Sequence, residues 1–297
     1  MVKKTVGEKL FDLLNYIGML MLCIVMIYPY LNQIAISLNE GMDTSFGGIT
    51  IFPRKFTLEN YYAIFSNESI MQSTVITVIC VILATAVSLF VCVSSAYALN
   101  EKNLPHKNFF IWFLIIPMYI SAGIIPTFFL FRYLKLLNNI LVYIIPAAFS
   151  FYNMLIIRTF LNSIPSSLEE AALLDGANEV QILFKVIIPL CMPVLATVAL
   201  WVSVGTWNNW TSTLMFVNKK GLYMLQYVIM QIIKQSEIVQ KMVADSAMTG
   251  GSVITARPTS ETIKAAAVIF STVPIVMVYP FLQKYFVKGV TIGAVKE

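Results

Sequence analysis

A chain of 297 residues that is 58% hydrophobic and only 12% charged, with mean hydropathy +0.79, is excluded from the ordinary soluble class, whose members carry about 25% charged residues. The formal net charge of +5 is read as the siting of basic loops against a membrane and not as a nucleic-acid footprint. Cys23, Cys80, Cys92 and Cys191 fall inside apolar runs at no metal-ligand spacing, and His106 is the only histidine. A disulfide framework, a zinc site and histidine-rich metal chemistry are therefore set aside, and the cysteines are read as small buried hydrophobes.

Residues 1–10 are short and basic and are assigned to the cytoplasm. Phe11 to Leu31 is apolar over about the ~20 residues that cross a bilayer. A cleaved signal would have a shorter apolar region ending in small residues, so this run is read as a retained helix. Residues 38–68 are polar, with glycines and Pro53, and suit an external loop. Met71 to Leu99 is the second span, and the polar end of that helix (Gln72, Ser73, Thr74, Thr77) reads as an entrance near water. Phe109 to Phe131 is the third span, interrupted by Pro117 and Pro126. Ile140 to Phe160 is the fourth, with Pro146 inside it.

The stretch SIPSSLEEAALLDGANEVQILFKVIIPL, residues 163–190, breaks this apolar pattern. Ser166 and Ser167 each precede an acid, Glu169 and Glu170, by three residues, which predicts a reciprocal helix N-cap. The two acids also stand in the first turn, where the helix dipole favours negative charge. Leu168, Leu173 and Leu174 offer apolar knobs, while Ala171 and Ala172 permit close approach. Gly176 lets the backbone turn after Asp175. A second helix then enters the membrane through Pro189 and Pro193.

The fifth span runs from about Ile182 to Val204, and residues 206–262 are assigned to the outside. Within them, Leu222 to Ile233 is too short to cross and reads as an interfacial or re-entrant helix, and residues 234–262 read as loop. The sixth span is Ile263 to Phe286, and residues 288–297 form a basic tail. The predicted fold is thus an all-α integral membrane domain of six transmembrane helices over residues 11–287. Helices satisfy their own backbone groups in lipid, which makes them the natural solution.

Lysine and arginine in the short loops fix the orientation. With both termini in the cytoplasm, that side holds Lys3, Lys4, Lys9, Lys102, Lys107, Arg158, Lys185 and the tail lysines. The external turn keeps Arg132 and Lys135, so the bias is real without being overwhelming. This orientation puts residues 163–190 in the cytoplasm.

The spacing Glu170-Ala171-Ala172, three residues, Gly176, nine residues, Val186-x-Ile188-Pro189 resembles the EAA loop of ATP-binding-cassette importer permeases. That family usually has Ile and Leu where this chain has Val186 and Ile188. The phrase IPSSLEEAALLDGA is similar to the carbohydrate-uptake branch of maltose-permease relatives. The C-terminal PTSETIKAAAVIFSTVPIVMVYPFLQKYFVKGVTIGAVKE resembles bacterial permeases for oligosaccharides derived from complex polysaccharides. The likeness runs from Lys9 to Lys296. It implies a type I importer permease fold, with Leu168, Glu169, Glu170, Ala171, Ala172, Leu173, Asp175 and Gly176 forming a coupling helix that docks into a cleft of an ATPase. It further implies a second similar permease, two nucleotide-binding subunits that hold ATP and magnesium, an extracellular solute-binding protein and an oligosaccharide substrate in a bacterial cytoplasmic membrane. An ordinary capped loop helix would explain the Ser-x-x-Glu pattern alone, but not the whole spacing.

The remaining chemistry is that of a conduit. No G-x-x-x-x-G-K-[ST] phosphate loop occurs, so the chain is not the ATPase. Charged residues are almost absent from the span centres, which argues against a proton relay or ion-coupled carrier. The chain is read as a non-enzyme with no cofactor of its own. Trp207, Asn208, Asn209 and Trp210 combine ring faces that stack on sugars with amides that bond hydroxyls. An interfacial aromatic belt explains the same residues equally well. Tyr152 and Asn153 lie within the fourth span, Asn153 as glue between helices first and cavity lining second. A permease for peptides or amino acids stays open at this point, because the EAA spacing does not encode substrate. An integral membrane enzyme or passive channel is the poorly supported remainder.

Overall fold

A computed structural model describes the backbone of residues 5–101, 104–120, 122–248 and 258–294. Among these residues everything regular is helical, apart from one isolated bridge between Asn39 and Phe56. The helices are α1 (Val6–Ser37), α2 (Gly41–Ser45), α3 (Glu59–Phe65), α4 (Glu68–Asn100), α5 (Lys107–Tyr119), α6 (Ile124–Tyr133), α7 (Leu141–Ile144), α8 (Phe151–Leu161), α9 (Ser167–Leu174), α10 (Glu179–Ile182), α11 (Ile188–Leu190), α12 (Met192–Trp207), α13 (Thr211–Phe216), α14 (Leu225–Met248) and α15 (Ser260–Ala294). A π-turn over Leu183–Ile187 joins α10 to α11.

Three of these, α1, α4 and the Ser260–Pro280 part of α15, are unbroken, apolar and long enough to cross a membrane. The expected third span stops at Tyr119 and resumes at Ile124. The fifth is a bent pair, Glu179–Leu190 and Met192–Trp207, so the described residues hold up to five spans by length and composition. The expected fourth span divides into α7 and α8 around Pro146. A proline there has no N–H for the helical ladder and crowds the preceding turn. One expectation needs correcting in detail: residues 234–248, read as loop, continue α14 to Met248.

The chain divides into two units. The first comprises residues 1–68 and 229–273. Its α1 opens on a capping box, with the Thr5 hydroxyl accepting from Glu8 N–H and the Glu8 carboxylate accepting from Thr5 N–H. The apolar stretch of α1 is nowhere buried within the chain. After α1 the loop is organised by Asn39, which is fully buried. Its amide donates to Asp43 Oδ2 at 2.9 Å and Thr44 Oγ1 at 3.0 Å, and its carbonyl accepts from Lys55 N–H at 2.8 Å. Asn60 donates in turn to the Ser37 and Asn39 carbonyls, both at 2.9 Å.

The second unit comprises residues 69–228 and 274–297. Its larger core joins Cys92, Val93, Ala96 and Leu99 of α4 to Phe151, Met154, Ile157 and Leu161 of α8 and to Ile182, Ile187, Cys191, Val194, Leu195 and Val198. A smaller cluster gathers Cys80, Phe131, Leu136, Val142, Tyr143, Val217 and Met224. Cys80, Cys92 and Cys191 are buried and free, as small hydrophobes would be, but Cys23 lies exposed on α1. The polar end of α4 is mixed: Gln72 is exposed, but Ser73 and Thr77 are buried, and Thr77 Oγ1 accepts from Leu225 N–H at 2.8 Å. That bond satisfies one of the orphan donors at the start of α14.

The loop after α1 generates a prediction. The Asn39 amide holds the Asp43 carboxyl below its ordinary value of 3.8, with burial opposing and Arg54 assisting. A lowered folded value means this stabilisation is present above the unfolded pKa and is lost as pH falls through the folded one. Asn39→Ala is expected to cost about 1–3 kcal/mol, because buried partners lose their bonds. Pepsin cleavage of residues 40–57, followed across the acid range, should begin at higher pH in the variant than in the parent.

Candidate functional site

The segment between α8 and α12 is built differently from its sequence pattern. Ser166 precedes α9 but has helical angles, φ −61° and ψ −24°, and no side-chain cap forms. An N-cap needs extended angles for its oxygen to reach the N2 or N3 amide, and here helical turns already begin at Pro165, whose carbonyl accepts from Leu168 N–H. The expected Ser-x-x-Glu capping box is therefore absent. A reciprocal box forms instead twelve residues later. Asn178 is extended, its side chain accepts from Gln181 N–H at 2.9 Å, and Gln181 Oε1 accepts from Asn178 N–H at 3.0 Å.

The stop signal does act as its sequence suggests. Gly176 has φ +83°, Gly176 N–H donates to the Leu173 carbonyl and Ala177 N–H donates to the Ala172 carbonyl, both at 3.0 Å. Those two bonds make a Schellman end, which uses up carbonyls that a helix terminus otherwise leaves open. The helix is thus closed at its C-terminal end by its own chain.

Its faces are unequal. Ala172 and Ala177 pack against the large core of the second unit. Leu168, Ala171, Leu173 and Leu174 are exposed, Leu174 at 90%, and Glu170, Asp175 and Gly176 are exposed beside them. Glu169 is half-buried. The two alanines, which look equivalent in sequence, therefore face different surroundings.

From Glu179 the chain is fastened to α4, where the Tyr97 hydroxyl donates to Glu179 Oε2 at 2.8 Å. A π-turn follows over Leu183–Ile187, and the path bends by 81° between Leu190 and Met192. The cause is a pair of prolines four residues apart. Pro189 cannot bond the Lys185 carbonyl and Pro193 cannot bond the Pro189 carbonyl, so two ladder positions fail in succession. Cys191 sits between them, buried, with its N–H shared between the carbonyls of Ile187 and Ile188.

Beyond the bend, α12 forms one wall of a cavity of about 310 Å³ opposite the break in the fourth span. Its polar lining is Tyr143, Ser150, Asn153, Thr206, Asn209 and Ser212, with no charged side chain. Asn153 is 9% exposed, lines this cavity, and its side-chain amide bonds no described residue. Asn209 faces the same cavity but is partly committed, bonding Ser212 through both its oxygen and its nitrogen.

The other expected path residues lie elsewhere. Trp207 is buried, and Asn208 and Trp210 are exposed, Asn208 accepting from Gln226 at 3.3 Å. Tyr152 stacks on Trp201 with ring centroids 6.0 Å apart, both rings half-exposed on the flank of the cavity-bearing helices. Sequence reasoning missed Trp201, Tyr143, Ser150 and Thr206. Pro146 within an apolar run was the available signal, since a broken span exposes polar groups at the break. Among the described residues no three His, Cys, Asp or Glu side chains gather as a metal site.

Residues 102–292 match the family described as "Binding-protein-dependent transport system inner membrane component". The chain is 34% identical to the polygalacturonan/rhamnogalacturonan transport system permease protein YtcP of Bacillus subtilis (strain 168), over 97% of this chain and 99% of that protein. It is 27% identical to the arabinooligosaccharides transport system permease protein AraQ of Halalkalibacterium halodurans, over 94% and 95% respectively. Its structure is similar, with TM-score 0.85 and 27% identity, to a chain of a bacterial ABC transporter that imports the acidic polysaccharide alginate. That likeness covers 96% of this chain and 100% of the other.

The left-handed end of α9 can be tested by itself. A Cβ at Gly176 would meet nothing within 4 Å, so the strain of a substitution there is purely conformational. Gly176→Ala is expected to cost about 1–2 kcal/mol, the ordinary penalty for an L-residue in this region. Thermal unfolding of the purified protein should show that loss, with Gly176→Val losing more because its branched side chain tolerates the region worst.

Proposed function

The chain belongs to the family of binding-protein-dependent transport system inner membrane components, and from that premise we propose that it forms half of the translocation path of an ATP-driven oligosaccharide importer. The family is one of transport components and not of enzymes. The observation that carries the sugar reading is the whole-length likeness to permeases named for pectic and arabinose-containing saccharides, together with the alginate importer. That likeness sets aside peptides and amino acids as the substrate class. A cavity lined by hydroxyls and two amides, without a charge, suits neutral hydrogen bonding to sugar hydroxyls.

We place the chain in a bacterial cytoplasmic membrane with both termini inside and six spans, the broken helices counting as single crossings. Its partners are a second similar permease, a pair of ATPase subunits that bind ATP and magnesium, and an external solute-binding protein. In this reading the exposed face of α9, with Leu168, Ala171, Leu173 and Leu174, seats in the ATPase cleft, and Glu169 and Glu170 favour its N-terminal end. Ala172 faces inward and joins the helix to its own core. Motion of α9 passes through the Glu179–Leu190 limb, turns at Cys191 and reaches the α12 wall of the cavity. Asn153 offers a free amide to substrate, and the Tyr152–Trp201 pair offers a ring surface beside it.

Two tests follow from that geometry. Ala171→Trp and Leu174→Glu alter only the exposed face, so the permease should insert normally while losing its ATPase subunits or its substrate-stimulated ATP hydrolysis. Normal uptake and a full complement of ATPase subunits in both variants would remove α9 from the coupling role. Ala172→Trp is the weaker probe, because overpacking at its inward position damages the fold itself. For the sugar path, Asn153→Ala should weaken transport by about 1 kcal/mol, roughly fivefold, as expected for one lost hydrogen bond. Uptake at graded substrate concentrations, in variants that still co-purify with their partners, measures it.

A further inference from the structure

The loop between α1 and α3 carries an exposed apolar surface to which the transport reading assigns no role. Phe46 is 82% exposed and Phe52 79%, with Phe56 and Ile51 exposed beside them. An unanchored polar loop would turn such rings inward or lose them to disorder. This loop instead is held open by bonds from behind. Arg54 donates through Nε to Asp43 Oδ2 at 2.9 Å, and through its second nitrogen to the carbonyls of Asp43 and Gly47, both at 2.8 Å. Gly47 and Gly48 both adopt left-handed angles, φ +72° and +76°, which reverse the chain immediately after Phe46.

The depth of the loop is fixed by a second anchor. Asn32 Nδ2 donates to the carbonyls of Ile49 at 2.8 Å and Thr50 at 2.9 Å. Asn32 is five residues before the end of α1 at Ser37, so the loop tip doubles back about 7–8 Å along the helix. It stops where the apolar run Phe11–Leu31 ends, and that run of 21 residues is about 31 Å long, the thickness of a hydrocarbon core. Tyr28 and Tyr30, both exposed, mark the same level on α1. Arg54 and Lys55, with side chains 44% and 64% exposed, stand beside the rings where lipid phosphates would be.

We propose that residues 46–56 form a membrane foot, with Phe46 and Phe52 seated in the headgroup layer of the leaflet at the Ser37 end of α1. The occupant is lipid, because the aromatic surface continues the exposed apolar surface of α1 and lies at the depth where rings partition best. The foot fixes the height of α1 against the bilayer and is independent of which sugar is carried.

The experiment uses the whole importer in lipid nanodiscs, with Cys23→Ser to remove the exposed native thiol. Nitroxide spin labels are placed at Phe46→Cys, Phe52→Cys and, as a reference at the hydrated phosphate level, Lys55→Cys. Accessibility to oxygen relative to a water-soluble nickel chelate should be severalfold higher at 46 and 52 than at 55. Equal nickel access at all three sites would make the segment a solvated loop and overturn the proposal. Protection of 46 and 52 from both reagents would mean that a protein subunit covers the rings, which overturns it equally. As a second measurement, Phe52→Trp should add fluorescence that lipids brominated near the headgroup quench more than lipids brominated deep in the chain. The reverse order, or no quenching, would also count against the foot.

Discussion

Two missing N–H groups govern the second unit. Pro189 and Pro193 are spaced by one helical hydrogen bond, so the ladder fails twice in succession and the fifth span becomes two limbs at 81°. One limb carries the α9 segment through the Asn178 cap, and the other forms a wall of the polar cavity. An unbroken helix would make those two places parts of one rod. A bent one lets a lateral displacement at one end become a rotation at the other. The π-turn preceding the bend supplies the extra residue that the altered path requires.

Packing determines how firmly each limb is held. The buried cluster around Cys191, Val194, Leu195 and Val198 is shared with α4 and α8, and an apolar cavity of about 520 Å³ lined by Val93, Leu183, Ile188, Met192 and Leu195 lies beside the bend. In a bilayer the lipid tails are as apolar as these side chains, so van der Waals packing and not release from water holds them together. Opposite them, the break around Pro146 leaves Ser150 extended and the Asn153 side-chain amide without a bond to any described residue, and a cavity opens. Prolines thus accompany an apolar hollow beside the bend at one place and a polar hollow at another. What surrounds each proline decides which.

The sequence revealed the helical class, the long spans and the stop at Gly176, because apolar run length and a φ-positive glycine are local signals. It also located the segment on which the family assignment turns. It misjudged the serine box, since Ser166 has the right side chain but a helical backbone, and a capping oxygen is useful only where the chain is still extended. Ala171 and Ala172 could not be told apart from spacing, because exposure depends on a core assembled from residues eighty positions away. The same limit applied to Trp201, which meets Tyr152 only through the approach of α8 and α12. Along the polar end of α4, Gln72 is exposed as composition suggests, but Thr77 is buried because it receives Leu225.

The Schellman end at Gly176 and the reciprocal cap at Asn178 have a consequence for biogenesis. Between them they occupy the backbone groups on either side of the turn that follows α9. A helix whose ends needed an outside partner would leave those groups unsatisfied until that partner arrived. Here the chain completes the turn by itself, so this region can mature without any other subunit. The turn is therefore complete as soon as the chain has folded, and its shape does not depend on what the exposed face of α9 meets.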